Sequence, residues 1–156
     1  MNYKIRQATI KDLDAISNLW NKLAIDQMSR DEYFTGELDL ENSKNQFLDS
    51  LTNDKCIIYI AYDNNTALGF IEVWLQSKDF YFFEDDYAYI LHMYVEPSYK
   101  SYKLSVSLMN LAEEWAFSKG MKYLAADVFE FNSDVLKIFS FLGGKPYRTR
   151  AIKRLT

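Results

Sequence analysis

The sequence predicts one mixed α/β domain, a single sheet with helices on its faces, and three observations carry that expectation. Residues 89–120, YILHMYVEPSYKSYKLSVSLMNLAEEWAFSKG, read as an apolar strand, a polar turn and an amphipathic helix in direct succession. Two further apolar runs, residues 56–62 and 67–76, flank Asp63-Asn64-Asn65-Thr66, a turn composition that predicts a β-hairpin. Finally, 156 residues with 49% hydrophobic and 17% aromatic content suit one core of common domain size, while two prolines and five glycines leave no linker. A single domain over residues 1–156 follows.

Taken in order, residues 3–8 form a short first strand, and Thr9 with Asp12 makes a T-x-x-D capping signature. The first helix buries Leu13, Ile16, Leu19, Trp20 and Leu23, and its pattern fades by Gln27. Residues 29–37 read as a loop. A second helix over residues 39–51 rests on Leu40, Phe47, Leu48 and Leu51. After the hairpin, an acidic aromatic loop at residues 77–86 leads to the fourth strand, residues 89–95, which Pro97 stops because proline cannot donate to a ladder. Leu104, Leu108, Leu111 and Trp115 recur at helical spacing, and Gly120 stands where a helix end favours glycine. Residues 123–129 read as another strand, so the helix before them predicts a right-handed crossover between parallel neighbours. Asn132 or Ser133 caps a last helix that runs to Leu142 and ends at Gly143 and Gly144. Residues 145–155 alternate enough to close with one or two strands, for a total of six or seven strands and four helices.

A net charge of −4 gives no general attraction to nucleic acid, but the charges are unevenly placed. Residues 26–54 hold eight acidic and two basic side chains, residues 79–96 five acidic and none basic, and residues 143–156 five basic and none acidic. The acidic stretches suit either solvated loops or attraction of a cationic substrate, and the basic end fits a solvated strand face. One cysteine, Cys56, excludes an internal disulfide, and its apolar run CIIYIAY marks a buried inert thiol. One histidine and one cysteine give no structural zinc site. The absence of an N-terminal signal pattern and of a long apolar span predicts a soluble, cytoplasmic protein with no membrane partner.

A strand feeding a helix through a short loop offers unpaired backbone N–H groups and the positive end of a helix dipole, which suits phosphate. The run Val95-Glu96-Pro97-Ser98-Tyr99-Lys100 resembles V-x-P-x-Y-[RK], motif A of the GNAT superfamily of N-acetyltransferases, whose loop wraps the pyrophosphate of acetyl-CoA. The predicted element order also matches that fold, a mixed, mostly antiparallel sheet whose strands four and five splay around the acyl-pantetheine arm. The resemblance implies acetyl-CoA as cosubstrate. It places the thioester on backbone groups of Met93, Tyr94 and Val95, and the pyrophosphate on Lys100, Ser101, Tyr102, Lys103, Leu104 and Ser105. Lys103 and Ser105 stand where the family pattern has small residues, a departure from the phosphate-binding loop. In the second family motif, Asn132 matches an asparagine that meets pantetheine, whereas Phe139 replaces a tyrosine that protonates the leaving thiolate. Tyr147, Tyr94, Ser140 or a water would take that role.

For the acceptor amine, Asp127 is a carboxylate in an otherwise apolar run, five residues before Asn132. This D-x-x-x-x-N spacing, Leu19-Trp20 late in the first helix and EEWAFSKGMKYLAAD at residues 113–127 resemble the aminoglycoside 6′-N-acetyltransferases. In that group an aspartate here binds or deprotonates the cationic acceptor, and Trp20 would join the acceptor site. A structural alternative is that Asp127 ends its strand and caps the next turn. Glu72 and His92 are the other candidate bases, the histidine because its unperturbed pKa of about 6.5 lies near working pH. Alternation puts His92 and Met93 on opposite faces without saying which meets the cleft. Glu84 and Asp85, with Asp86, form either an acceptor-side acidic wall or solvated loop charges. The expected function is transfer of acetyl from acetyl-CoA to a small cationic amine, aminoglycoside-like in the nearest pattern, by direct attack. The alternative is a GNAT-fold CoA sensor or interaction protein, for which Lys103, Ser105 and Phe139 speak. The resemblance adds a homodimer as an expectation.

Overall fold

β1 (Lys4–Gln7) leads directly into the pair that starts the first helix: Asp12 Oδ2 accepts the Thr9 backbone N–H at 2.8 Å across a short 3-10 turn at Ile10–Asp12. α1 (Leu13–Arg30) continues past Gln27, with Arg30 paired to Asp26 one turn back and to Asn132 across the molecule. α2 (Leu40–Thr52) starts at Asp39, whose side chain accepts the Asn42 N–H at 2.9 Å. β2 (Cys56–Asp63) and β3 (Thr66–Gln76) form the predicted hairpin, and Asn64 takes a φ of 53° in its two-residue turn. β4 (Tyr87–Val95), α3 (Tyr102–Ser118), β5 (Leu124–Ala126) and α4 (Ser133–Phe141) complete the chain. This computed structural model describes residues 3–34, 37–78, 85–99 and 102–155, with Leu40 and Tyr102 as backbone alone.

The sheet runs β1-β2-β3-β4-β5, antiparallel except for the parallel β4 and β5 pair that α3 connects. β3 lies at its centre and is buried on both faces, which its continuous apolar run anticipates. Two cores result. One lies under α3 and α4 and joins Ala61, Leu68, Ile71, Val73, Leu104, Leu108, Met109 and Ile138; the other lies under α1 and α2 and joins Ile16, Leu19, Phe47, Ile58, Ile60 and Phe70. Among the described residues no helix is long and apolar enough to cross a membrane.

The mixed α/β class and four α-helices stand, but the described sheet has five strands rather than six or seven. Residues 145–155 form none: every one is exposed, and Tyr147, Ile152 and Leu155 fall on no single face of a two-residue repeat. The strand predicted over residues 123–129 is cut to Leu124–Ala126, so Asp127 follows it instead of lying within it. On α3 the buried stripe is Leu104, Leu108, Met109, Ala112 and Ala116, with Leu111 and Trp115 half-buried at its margin, and on α2 Leu48 faces solvent.

One irregularity positions the candidate site. Glu72 is opposite His92 while Val73 is opposite Ile90, so Leu91 is an extra residue, a bulge that is 45% exposed. Counting alternation from buried Ala88 and Ile90 would send His92 to the α3 face. The bulge reverses that parity: Met93 packs with the α3 core, and His92 and Tyr94 turn toward α1.

Candidate active site

His92 and Glu72 meet across the central strands. His92 Nδ1 lies 2.7 Å from Glu72 Oε2, and the other carboxylate oxygen accepts Ser50 Oγ at 2.7 Å and Trp74 Nε1 at 2.8 Å. Glu72 is 1% exposed. Burial pushes its carboxyl up, but the hydrogen bond and charge of His92, with the bonds from Ser50 and Trp74, outweigh burial and hold it below the usual carboxylate range. Trp20 Nε1 donates to His92 Nε2 at 3.3 Å, and Phe47 stands edge-on to the Trp20 ring with centroids 6.3 Å apart. A buried carboxylate thus holds one face of a half-buried imidazole, and α1 covers the other. Cys56 Sγ sits 4.0 Å from Glu72, where burial pushes the thiol well up, so it is no nucleophile.

Next to this pair the sheet opens. β5 pairs only with Ala88–Ile90 and stops at Ala126, so the β4 edge over Leu91–Val95 has no strand partner among the described residues. The Glu96 N–H bonds to Leu68 O in β3, so by alternation Tyr94 also turns its backbone groups to β3, opposite Phe70, while those of Met93 and Val95 face the open edge and are available to an extended polar ligand. At the end of β4 the chain passes a 3-10 turn, Pro97–Tyr99, and enters α3 at Tyr102. Leu104 and Ser105 turn their side chains inward, leaving backbone N–H groups of the first helical turn and the exposed Lys103 on the surface. Lys100, Ser101 and Glu84 lie outside the described residues, as does the Tyr102 side chain.

Asp127 is exposed at the end of β5, where Tyr89 Oη donates to its Oδ2 at 3.2 Å. Tyr89 lies opposite Trp74 in β3, so Asp127, Tyr89, Trp74, Glu72 and His92 share the α1 face of the sheet. Asn132, at the start of α4, accepts Arg30 Nη2 at 2.8 Å through Oδ1, which leaves its amide N–H groups for another partner. Asp85 pairs with Lys122 Nζ at 2.6 Å beside the first residues of β4 and β5, at the end of the sheet away from His92. Tyr94 Oη approaches Glu96 at 3.5 Å, and burial together with the Glu96 and Asp26 charges pushes its hydroxyl up to about 12. Ser140 and Tyr147 are exposed, and Phe139 packs against the α3 core.

Sequence reasoning missed Ser50, Trp74 and Arg30. Ser43, Phe47 and Ser50 share the buried face of α2, but a scan for apolar periodicity passes over serines. Trp74 was within reach, since it lies two residues from Glu72 on the same strand face.

The sequence matches the model of the Acetyltransferase (GNAT) family over residues 20–143. No curated protein matches it. Its fold is similar to that of aminoglycoside N-acetyltransferase AAC(6′)-Iy solved with CoA (TM-score 0.81, 18% identity, 98% of this chain and 94% of that one). It is also similar to the apo aminoglycoside 6′-N-acetyltransferase AAC(6′)-IG of Acinetobacter haemolyticus (TM-score 0.77, 17% identity, 100% and 99%). A predicted acetyltransferase of Clostridium acetobutylicum, solved with acetyl-CoA, aligns with a TM-score of 0.79 at 15% identity over 99% and 97%.

Proposed function

Because the chain belongs to the acetyltransferase (GNAT) family, we propose that it transfers acetyl from acetyl-CoA to a small cationic amine by direct attack. The unpaired β4 edge beside the His92 and Glu72 pair carries this reading. The amides of the pantetheine arm extend that edge at Met93 and Val95, whose backbone groups face it, as an added strand would. The pyrophosphate rests on the first N–H groups of α3, with Lys103 supplying charge in place of close approach through glycine. Asn132 donates its amide N–H to a pantetheine carbonyl. Acetyl-CoA supplies the activated acyl group.

Asp127 anchors the acceptor ammonium. His92 Nε2 takes one proton from it, and Glu72 balances the imidazolium that forms. The freed amine attacks the thioester carbonyl, the C–N bond forms as C–S breaks, and the second proton of the attacking nitrogen passes to the departing thiolate, giving the amide and CoA thiol. Tyr94, with its raised pKa, stays protonated at working pH, and its hydroxyl relays that proton from the same face of β4 as His92. The neighbours' aminoglycosides are one acceptor to test. Calorimetric titration with acetyl-CoA comes first, and no binding at millimolar cofactor removes the reading. Thiol release across aminoglycosides, polyamines and amino acids then separates an enzyme from a CoA sensor. Asp127→Asn lowers turnover about 10- to 100-fold with acetyl-CoA affinity unchanged. Unchanged turnover removes Asp127 from the mechanism.

A further inference from the structure

The tautomer of His92 is set by its neighbours. An indole N–H is a donor only, so the 3.3 Å bond from Trp20 Nε1 makes His92 Nε2 an acceptor. The proton of a neutral ring is then on Nδ1, where Glu72 Oε2 accepts it at 2.7 Å. The second oxygen of Glu72 already takes Ser50 and Trp74, and at 1% exposure the carboxylate does not reach a ligand itself. The outward lone pair of this network is that of Nε2, and Trp20 occupies it. Trp20 is half-buried on α1, where its ring stands edge-on to those of Phe47 and His92. Glu72 and Ser50 are buried, and Trp74, half-buried like Trp20, bonds to the carboxylate and not to the ring, so Trp20 is the exchangeable partner of the Nε2 lone pair.

We propose that Trp20 is a positioning residue for His92: its indole N–H holds the Nε2 lone pair in the unliganded protein and gives it up to the N–H of the incoming acceptor. The inference rests on the acetyltransferase reading for the second half of that exchange, while the first half is a property of the free protein. Until an acceptor replaces the indole, the base is capped by a neutral donor that cannot deliver a proton to it. Water is held off the lone pair, and the ring keeps the orientation in which Nε2 faces the acceptor side. An acceptor competes with one neutral hydrogen bond, a displaceable partner.

His92 is the only histidine, so uniform 15N-histidine labelling reports this one ring. The free protein at pH 8 is expected to show a protonated Nδ1 and an unprotonated, hydrogen-bonded Nε2. In Trp20→Phe, which keeps the ring and removes the N–H, the Nε2 resonance moves to the position of an unbonded nitrogen while Nδ1 stays protonated. A proton on Nε2 in the free protein, or an Nε2 resonance unmoved by Trp20→Phe in a protein with wild-type backbone shifts, overturns the proposal. With whichever amine supports thiol release, Trp20→Phe lowers the acceptor KM about fivefold, the equivalent of one neutral hydrogen bond of about 1 kcal/mol. An unchanged or raised KM overturns the exchange. If no amine supports thiol release, the enzyme reading fails, and the nitrogen spectra still decide the resting hydrogen bond.

Discussion

On the face of the sheet that α3 and α4 cover, the core is apolar almost without interruption, and Ser105 is its one buried polar residue among those described. On the face that α1 and α2 cover, Phe70, Ile60 and Ile16 share the interior with Asp12, Ser17, Ser43, Ser50 and Glu72. Burying a charge or hydroxyl costs several kcal/mol unless it is bonded, so the second face depends on the bonds that Asp12, Ser50 and Glu72 make, while Ser17 Oγ is buried there without a hydrogen-bond partner. The difference separates two tasks: one face supplies packing, and the other holds groups that can move a proton.

The sharpest way to break this division is Glu72→Gln. The amide keeps the volume and loses the charge that balances a protonated His92, and turnover is expected to fall about 10²- to 10⁴-fold, measured as thiol release. The same variant tests the pH dependence. A carboxyl held below its usual range contributes stability that is present above the unfolded value of about 4.3 and is lost as pH falls through the folded pKa. The stability difference between wild type and Glu72→Gln therefore narrows in acid. A difference that widens below pH 4 removes the charged pair from the account.

The matching test of the apolar face is Leu108→Ala. Leu108 is fully buried in the α3 core, and its truncation is expected to cost about 2–5 kcal/mol in denaturant unfolding while turnover per folded molecule stays within twofold. A large loss of turnover at full folding would show that the two faces are coupled. A third test lies at the edge of the polar face. Asp12 takes two hydrogen bonds from Arg6 at 2.7 and 2.8 Å, one from Tyr62 and one from the Thr9 N–H, and the Arg6 bond above all holds its carboxyl far below the usual range. Arg6 is half-exposed, which limits the pair, so Asp12→Asn is expected to cost about 2 kcal/mol at pH 7. That stability is present above the unfolded value of about 3.9 and is lost as pH falls toward the folded pKa, so the variant's deficit shrinks in acid.

The two faces also differed in how legible they were. Leu104 and Leu108 announce α3 because apolar side chains at helical spacing have one solution, and the Asp63 to Thr66 turn announces the hairpin for a similar local reason. The hydrogen-bonded face offers no such period. His92 and Glu72 were readable as residues of interest, but their pairing depends on the Leu91 bulge, which no alternation pattern contains. Ser50 reaches Glu72 from 22 residues away and resembles any helical serine until the fold brings it there. Asp127 was read inside a strand because Val128 and Phe129 prolong its apolar run. The strand stops at Ala126 instead, and that early stop leaves the β4 edge open.

The smallest expected effect bears on the polar face most directly. Ser50 donates to the Glu72 oxygen that does not face His92, so Ser50→Ala leaves the histidine contact in place and removes one of the bonds that offset burial of the charge. The loss of a hydrogen bond to a buried carboxylate is about 1.5–3 kcal/mol, reduced here because Trp74 still donates to the same atom. A net cost of about 1 kcal/mol is expected, and the Glu72 carboxyl should titrate higher, because a bond that favours its ionised form is gone. Infrared titration of the buried carboxylate measures the second effect separately from the first. Stability lost without a rise in the Glu72 pKa would mean that Ser50 acts through α2 packing alone, and the polar face would then differ from the apolar one less than its hydrogen bonds suggest.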